Sequence, residues 1–284
     1  MQTKHSMDLS IIIAHYLPGS NHPCREAVAR TFETLDKQAH DLKVELIVCD
    51  DGSADLLSIQ PSDHKIKLGD GRICYDFLSE QATEICSSRL GVQTGLISHW
   101  LYLPRTKNIS SKARLLNTAV ALAQAEQLLF FDDDNYLIQA DSLKTFLHEL
   151  KTYQLLFGQI VDSNNHARPY SSHRVQGSTF GVRKTLLQQV GGFGEWTEKV
   201  SSGIDSDIWF KFYQVLKAAR PYQAAWTSSI QSVDGCSKRW KPFVGFLMRH
   251  RAVRKEFYAV HGCKNYRSVR HNPSREKQGW IKQI

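Results

Sequence analysis

Three acidic sites in this chain have the residue types and spacing to do chemistry: Asp50-Asp51, Asp132-Asp133-Asp134, and the pair Asp205 and Asp207. Carboxylates so placed have a short repertoire. One can hydrogen-bond the base or ribose of a nucleoside. One or two on a turn can hold Mg2+ or Mn2+ against a diphosphate, since Mg2+ is commonly held by one or two protein carboxylates plus substrate phosphates. One can take a proton as general base. The middle site is the most demanding, because adjacent anions repel one another unless a cation or hydrogen-bond donors offset them. A solvated acidic turn is the plainer alternative for that tripeptide alone.

The elements that must position these acids are readable. Leu128-Leu129-Phe130-Phe131 runs straight into Asp132, and a short apolar run reads as a buried strand, although periodicity does not separate it from helix. Acids at a strand's end sit where an open α/β sheet places its ligand. Leu9 to Ala14 reads as a first buried strand, broken by His15 to Gly19, and a helix is expected from about Pro23 to Gln38 with Val28, Phe32 and Leu35 on one face. Val44 to Cys49 is a second strand, ending in the turn Asp50-Asp51-Gly52-Ser53. Strand, helix, strand is the opening of a doubly wound parallel sheet.

Residues 55 to 107 are ambiguous, with Ile73 to Tyr75 and Trp100 to Leu103 as candidate strands. Ser110 or Ser111 is an N-cap for a helix to about Gln124 that turns Leu115, Leu116, Ala119 and Leu122 inward. Asp141 is a cap for a helix over 142–153, and Leu155 to Val161 reads as a strand. Gly177 to Val182 reads as a strand whose glycines allow close backbone approach. A short helix from Lys184 leads into Gly191-Gly192-Phe193-Gly194. Asp205 and Asp207 then open a helix with Ile208, Phe212 and Val215 on its apolar face, and simple capping of the helix dipole is the alternative for these acids.

Composition is that of an ordinary globular protein: 284 residues, 42% hydrophobic and 23% charged. No apolar run approaches the roughly 20 residues needed to span a bilayer, and Leu9 to Ala14 is too short for a signal-peptide core. A cytoplasmic protein is expected. The six cysteines are scattered without a Cys-x-x-Cys pair, so neither a zinc site nor a disulfide framework is expected. The net charge of +8 is uneven: from Lys238 onward the chain carries 13 Lys or Arg against Glu256 and Glu276, or +11, leaving −3 for the rest. A basic tail favours an anionic partner. Phe243 to Met248 followed by Arg249 to Lys255 has the make-up of an interfacial helix on an anionic membrane, and a helix packed on the body is the alternative.

Several chemistries are excluded by what is missing. A Walker B reading of Phe131-Asp132 requires a phosphate loop, and the chain contains no Gly-Lys pair. Ala14-His15-Tyr16 after the first strand is not a dinucleotide fingerprint. A haloacid-dehalogenase-type Asp-x-Asp belongs near a domain's start and is followed by Thr or Val, whereas Tyr136 comes after Asn135 here. No Gly-x-Ser-x-Gly elbow is present.

The motifs in order resemble the nucleotide-sugar glycosyltransferases of the GT-A fold, of the large inverting type often called family 2. The first strand leads to a turn that in the family meets the nucleoside, here His15 and Tyr16. Val48-Cys49-Asp50-Asp51-Gly52-Ser53 looks like the family's Val-Asp-Asp-Gly-Ser. Ser111-Lys112-Ala113-Arg114-Leu115-Leu116-Asn117, followed by Phe131-Asp132-Asp133-Asp134, looks like its Lys-x-x-x-Leu-Asn helix and Asp-x-Asp. Val190-Gly191-Gly192-Phe193, with Asp205-x-Asp207 beyond, looks like its Gly-Gly-Phe and Glu-Asp-x-Asp. The resemblance covers roughly residues 8 to 215.

It implies an α/β fold, a mostly parallel Rossmann-like sheet flanked by helices, with a catalytic domain over 8–225 and a basic helical extension over 226–284. It implies a metal-dependent inverting transfer from a nucleotide-diphosphate sugar, UDP-linked by preference, to a glycan or lipid-linked acceptor. Asp134, with Asp132, would hold Mg2+ or Mn2+. Asp50 or Asp51 would contact the base, and Lys112 or Arg114 would stand near the phosphates, with Asn117 and Asp133 on the donor side. Gly191, Gly192, Phe193 and Asp207 would face the acceptor, and Asp205 would be the base. The expected setting is the inner face of a membrane or the cytoplasm, and no nucleic-acid partner is expected. The chain departs from the pattern at Ala14-His15, where Pro-Thr is usual, and at Ile204, where Glu is usual. Arg239-Trp240 lacks the Gln of a Gln-x-x-Arg-Trp motif, Cys236 standing in its place. No counterpart is evident of the His that adds a metal ligand in some relatives. A nucleotidyltransferase and a non-catalytic nucleotide-sugar or polyanion-binding protein remain the alternatives.

Overall fold

The structure is a computed structural model that describes residues 7–19, 21–54, 56, 62–105, 109–162, 164, 166–170, 177–236, 244–264 and 279–284. The strands are β1 (Leu9–His15), β2 (Val44–Asp50), β3 (Lys65–Lys67), β4 (Ile73–Leu78), β5 (Ile97–Tyr102), β6 (Gln127–Asp132), β7 (Asn135–Leu137), β8 (Leu155–Val161), β9 (Phe180–Arg183), β10 (Ala224–Asp234) and β11 (Ile281–Gln283). The helices are α1 (Arg25–Ala39), α2 (Ser79–Leu90), α3 (Lys112–Leu122), α4 (Ser142–Thr152), α5 (Lys184–Gln189), α6 (Ile204–Leu216) and α7 (Val244–His261), with a 3-10 helix at Glu195–Val200.

All the strands join one sheet in the order β11-β10-β8-β9-β6-β1-β2-β5-β4-β3, with β7 paired to β10. Its centre is parallel: β1 lies between β2 and β6, and β5 pairs with β2 in the same sense. Antiparallel β9 separates β6 from β8. Helices cover both faces, so the central strands are apolar at nearly every position instead of alternating. In β1, Ile12 belongs to one core and Ile11 and Ile13 to the other. The first core takes Leu115, Leu116 and Ala119 of α3 and Ile208 and Phe212 of α6. The second takes Val28, Phe32 and Leu35 of α1 and Leu143, Phe146 and Leu147 of α4.

Several local expectations need revision. The ambiguous stretch contains β3, β4, α2 and β5. The strand expected from Gly177 begins only at Phe180. Ser111 holds the N-cap position of α3 but its hydroxyl makes no capping bond; it accepts from Arg72 Nη1 at 2.7 Å. Asp141 likewise makes no side-chain cap and sits in the left-handed region at φ 56°. β10 spans 224–234, across the boundary drawn at 225, and β11 returns the chain's end to the sheet beside it. Cys24 and Cys236 are bonded as a disulfide, Cα–Cα 5.7 Å, where no disulfide framework was expected; Cys49, Cys74, Cys86 and Cys263 are free. Arg239, Trp240 and Phe243 lie outside the described residues. Among the described residues, no helix is long and apolar enough to cross a membrane.

Candidate functional site

Parallel register assembles the site. His15 of β1 pairs with Asp50 of β2, and Ala14 pairs with Asp132 of β6. The acids that end two apolar strands therefore reach the same carboxyl edge of the sheet, on either side of the turn that begins at His15.

The two members of the Asp50-Asp51 pair have different surroundings. Asp50 is fully buried; it accepts from the Ser53 backbone N–H at 2.8 Å and from Trp100 Nε1 at 3.1 Å. Asp51 is buried but nearer the rim. It accepts from the backbone N–H of Ser111 at 2.9 Å, and Arg105 Nη2 stands 4.0 Å away. Burial pushes the Asp51 carboxyl above its ordinary range, against the Ser111 bond and Arg105, which pull it down. The Arg105 guanidinium lies 4.0 Å over the Tyr16 ring, so Tyr16, Arg105 and Asp51 form one flat-walled, charged corner. Gly52, at φ 76°, lets the chain pass Arg105, whose Cβ a side chain at 52 would meet at 2.5 Å. His15 and Asp133 are buried together, Nδ1 to Oδ2 at 2.8 Å, and the Tyr16 backbone N–H donates to the same oxygen at 3.2 Å.

Beside that corner lies a narrow cleft with an apolar floor that includes Ile12, Phe130 and Ile208, and with Lys112, Asp132 and Asp205 as its charged side chains. Lys112 Nζ is 2.9 Å from Asp132 Oδ1, and both side chains keep about a third of their surface exposed, 30% and 34%. Burial opposes the Lys112 charge, but Asp132, Asp205 and Asp133 outweigh it and hold the ammonium above its usual pKa. Burial pushes the Asp205 carboxyl up; Lys112 pulls it down and Asp132 adds to the rise. Gly177 makes room for Asp205, since a Cβ there would overlap its carboxylate. Asp132 and Asp134 are each partly exposed. Among the described residues, no group of three or more His, Cys, Asp or Glu side chains converges on a metal position. That donor set fits a divalent ion completed by substrate oxygens and does not fit an all-protein cage.

On the other side of the cleft the expected acceptor residues form a braced turn. Gly191 and Gly192 have φ 77° and 64° and close the end of α5. Asn117 clamps this turn, its Oδ1 accepting from the Phe193 N–H at 2.8 Å and its Nδ2 donating to the Phe193 carbonyl at 2.9 Å. The Phe193 ring is buried, 5.0 Å edge-on to Phe130. Asp207 is fully buried and accepts from Gly194 N–H, Trp196 Nε1 and His261, each at 2.8 Å. Arg114 is held in ion pairs with Glu195 at 2.6 Å and Glu198 at 3.2 Å, and Arg72 joins the same Glu198 at 2.8 Å. The structure thus brings Lys112, Asp132 and Asp205 to the cleft and Tyr16 and Asp51 to the corner beside it, with Asp134 partly exposed two residues beyond Asp132. It places Asp50, Asn117, Phe193 and Asp207 in supporting contacts.

Arg105, Trp196 and His261 were not singled out from the sequence, and Gly177 was read only as a strand glycine allowing close backbone approach. Arg105 had a usable signal, a cation just beyond the candidate strand Trp100 to Leu103, where sheet ligands collect. His261 had none, because its partner lies 54 positions away.

No family model and no curated protein matches the chain by sequence. Solved structures match its fold. The structure of S. aureus TarS 1-349 in complex with UDP-GlcNAc aligns over 89% of this chain and 67% of that one, at 18% identity and a TM-score of 0.51. The mannosyltransferase PcManGT from Pyrobaculum calidifontis, in complex with GDP-Man and Mn2+, aligns over 98% and 69%, at 14% identity and a TM-score of 0.56. The chain spans 66% of TarS 1-349 without ligand and 40% of a longer TarS structure. The fold is the mixed α/β fold of these solved structures, with a central, mostly parallel sheet between helices.

Proposed function

We propose that the protein is an inverting, metal-dependent glycosyltransferase of the family 2 type. It takes a sugar from a nucleotide-diphosphate donor, with a UDP-sugar as the first candidate, to a hydroxyl of a glycan or lipid-linked acceptor in polysaccharide synthesis. The observation that carries this reading is the convergence of Asp132, Lys112 and Asp205, from β6, α3 and α6, on one cleft at the sheet's carboxyl edge.

Tyr16, Arg105 and Asp51 hold the nucleoside, the ring and guanidinium against the base and the carboxylate as hydrogen-bond acceptor. Lys112 faces the diphosphate. Asp132 and Asp134 are the residues that would hold Mg2+ or Mn2+, which when bound supplies Lewis-acid stabilisation of the leaving diphosphate. Asp205 takes the proton of the acceptor hydroxyl as its oxygen bonds to the anomeric carbon. The bond from that carbon to the diphosphate oxygen breaks on the opposite face, so the configuration inverts. Its raised pKa suits a base. Arg251, Arg254, Lys255 and Tyr258 are exposed on α7 and support peripheral contact with an anionic membrane at its cytoplasmic face.

The test is thermal stability with UDP, GDP, CDP and dTDP, each with and without Mn2+. A ligand that binds only the native state adds about 2.7 kcal/mol at a hundredfold excess over Kd. A Mn2+-dependent rise with one nucleotide is expected. No rise with any, in folded protein, rejects a donor site and leaves the polyanion-binding alternative.

A further inference from the structure

The C-terminal helix reaches into the site. Phe257 of α7 is fully buried, its ring 6.0 Å edge-on to Trp196 and 5.5 Å from Phe210. One turn on, His261 Nε2 stands 2.8 Å from Asp207 Oδ1. Trp196 Nε1 donates to that same oxygen at 2.8 Å. Asp207 Oδ2 takes the Gly194 N–H at 2.8 Å and Lys211 Nζ at 3.0 Å, and Lys211 also donates to the Gly192 carbonyl at 2.7 Å. A carboxylate offers about four lone-pair sites. Donors from the 192–196 turn, from α6 and from α7 fill them, two residues from Asp205.

We propose that His261 is a positioning residue for the transfer reaction. By donating to Asp207 it fixes the first turn of α6 and the Gly191 to Gly194 turn against each other, and so sets where Asp205 meets the acceptor. Asp207 contacts no substrate; it is the junction that joins the tail helix to the base. The proposal rests on Asp205 being the base. The arrangement goes beyond packing. An apolar side chain in place of His261 would keep the Phe257 contacts yet withdraw a donor from a fully buried carboxylate, and a charge-assisted bond of this kind is directional. The other three donors lie on segments the bond must align, so none of them replaces it.

The experiment compares the wild-type chain, His261→Ala and His261→Gln, whose amide can still donate to Asp207. Three quantities are measured: UDP and GDP affinity with Mn2+, the rate at which nucleotide-sugar is consumed, and backbone hydrogen exchange over residues 203–210. For His261→Ala, nucleotide affinity should stay within about twofold while turnover falls about tenfold or more, because a small misplacement of a reacting group costs rate before binding. Exchange over 203–210 should quicken, and His261→Gln should recover most of both. Unchanged turnover and exchange in a folded His261→Ala protein overturns the proposal, as does a Gln variant no better than Ala. If His261→Ala does not fold, the Gln variant decides alone: near-wild-type turnover supports the bond, and heavy loss rejects it. If wild type neither binds nucleotide nor consumes donor, the transferase reading fails. Exchange over 203–210 then still reports whether His261 holds α6.

Discussion

Lys112 Nζ lies 2.9 Å from Asp132 Oδ1, and its charge also bears on Asp205. One ammonium on the first residue of α3 therefore serves acids from two other elements, β6 and α6. It offsets the strand-end carboxylate and it restrains the pKa of Asp205, the proposed base.

That sharing gives a pH signature. A base must be deprotonated to work, and burial raises Asp205, so the acid limb of kcat/KM should lie above the ordinary carboxylate pKa of 3.8. Lys112 lowers the Asp205 pKa. Lys112→Met removes that pull, so the acid limb should move to higher pH as maximal rate falls. A limb that stays in place would separate Lys112 from Asp205 in function.

Asp205→Asn should abolish transfer and leave nucleotide affinity within about threefold, since the base acts on the acceptor and leaves donor binding to other residues. It should also raise Tm by a few degrees. A carboxyl whose folded pKa is raised opposes folding at neutral pH, and a neutral amide of the same shape removes that opposition. Scanning calorimetry and a nucleotide-binding isotherm check both. Loss of binding together with transfer would remove Asp205 from the role of base.

Gly177→Ala should behave differently. Its Cβ would overlap the Asp205 carboxylate, so Asp205 must shift. Turnover should fall about a hundredfold with nucleotide affinity retained, and the Asp205→Asn background should show no further loss, because the displaced group is already inert.

Asp207→Asn tests the junction by stability. The Asp207 carboxyl is held below its ordinary value: burial alone would raise it, but His261, Lys211 and Trp196 outweigh that. A depressed carboxyl stabilises the fold above its unfolded pKa, near 4, and the contribution disappears as pH falls through the folded pKa. The substitution should cost about 3–5 kcal/mol at neutral pH, the usual penalty for breaking a buried ionic cluster. The gap to wild type should shrink as pH is lowered below about 4 in acid titrations of unfolding.

The site was legible where single strands end in acids. Val48-Cys49-Asp50 and Phe131-Asp132 each carry the apolar run and its terminus in adjacent residues, so position and chemistry are read together. The roles within each acidic pair were not legible. Asp50 and Asp51 are neighbours in sequence, but only the fold puts Trp100 on the first and Ser111 on the second. The resemblance put Asp207 on the acceptor side; its donors, from 194, 196, 211 and 261, come together only in the fold. α2 escaped because its buried face, Ala82, Ile85, Cys86 and Arg89, is small and partly polar and leaves no apolar stripe. β10 escaped because Thr227, Ser228, Ser229 and Ser232 interrupt it; the first three fall in a break of register between Trp226 and Gln231, and Ser232 is held by pairing with Ile160 of β8 and Leu137 of β7, both distant in the chain.

The Cys24–Cys236 bond, spanning 212 residues, makes most of the polypeptide a closed ring. One backbone cut inside the ring leaves two pieces that still run as a single band until reduced. The denatured protein is likewise a loop with two tails, more compact than a linear chain. Less surface is then newly wetted on unfolding, so the oxidised protein should show a shallower dependence of stability on denaturant than the reduced one.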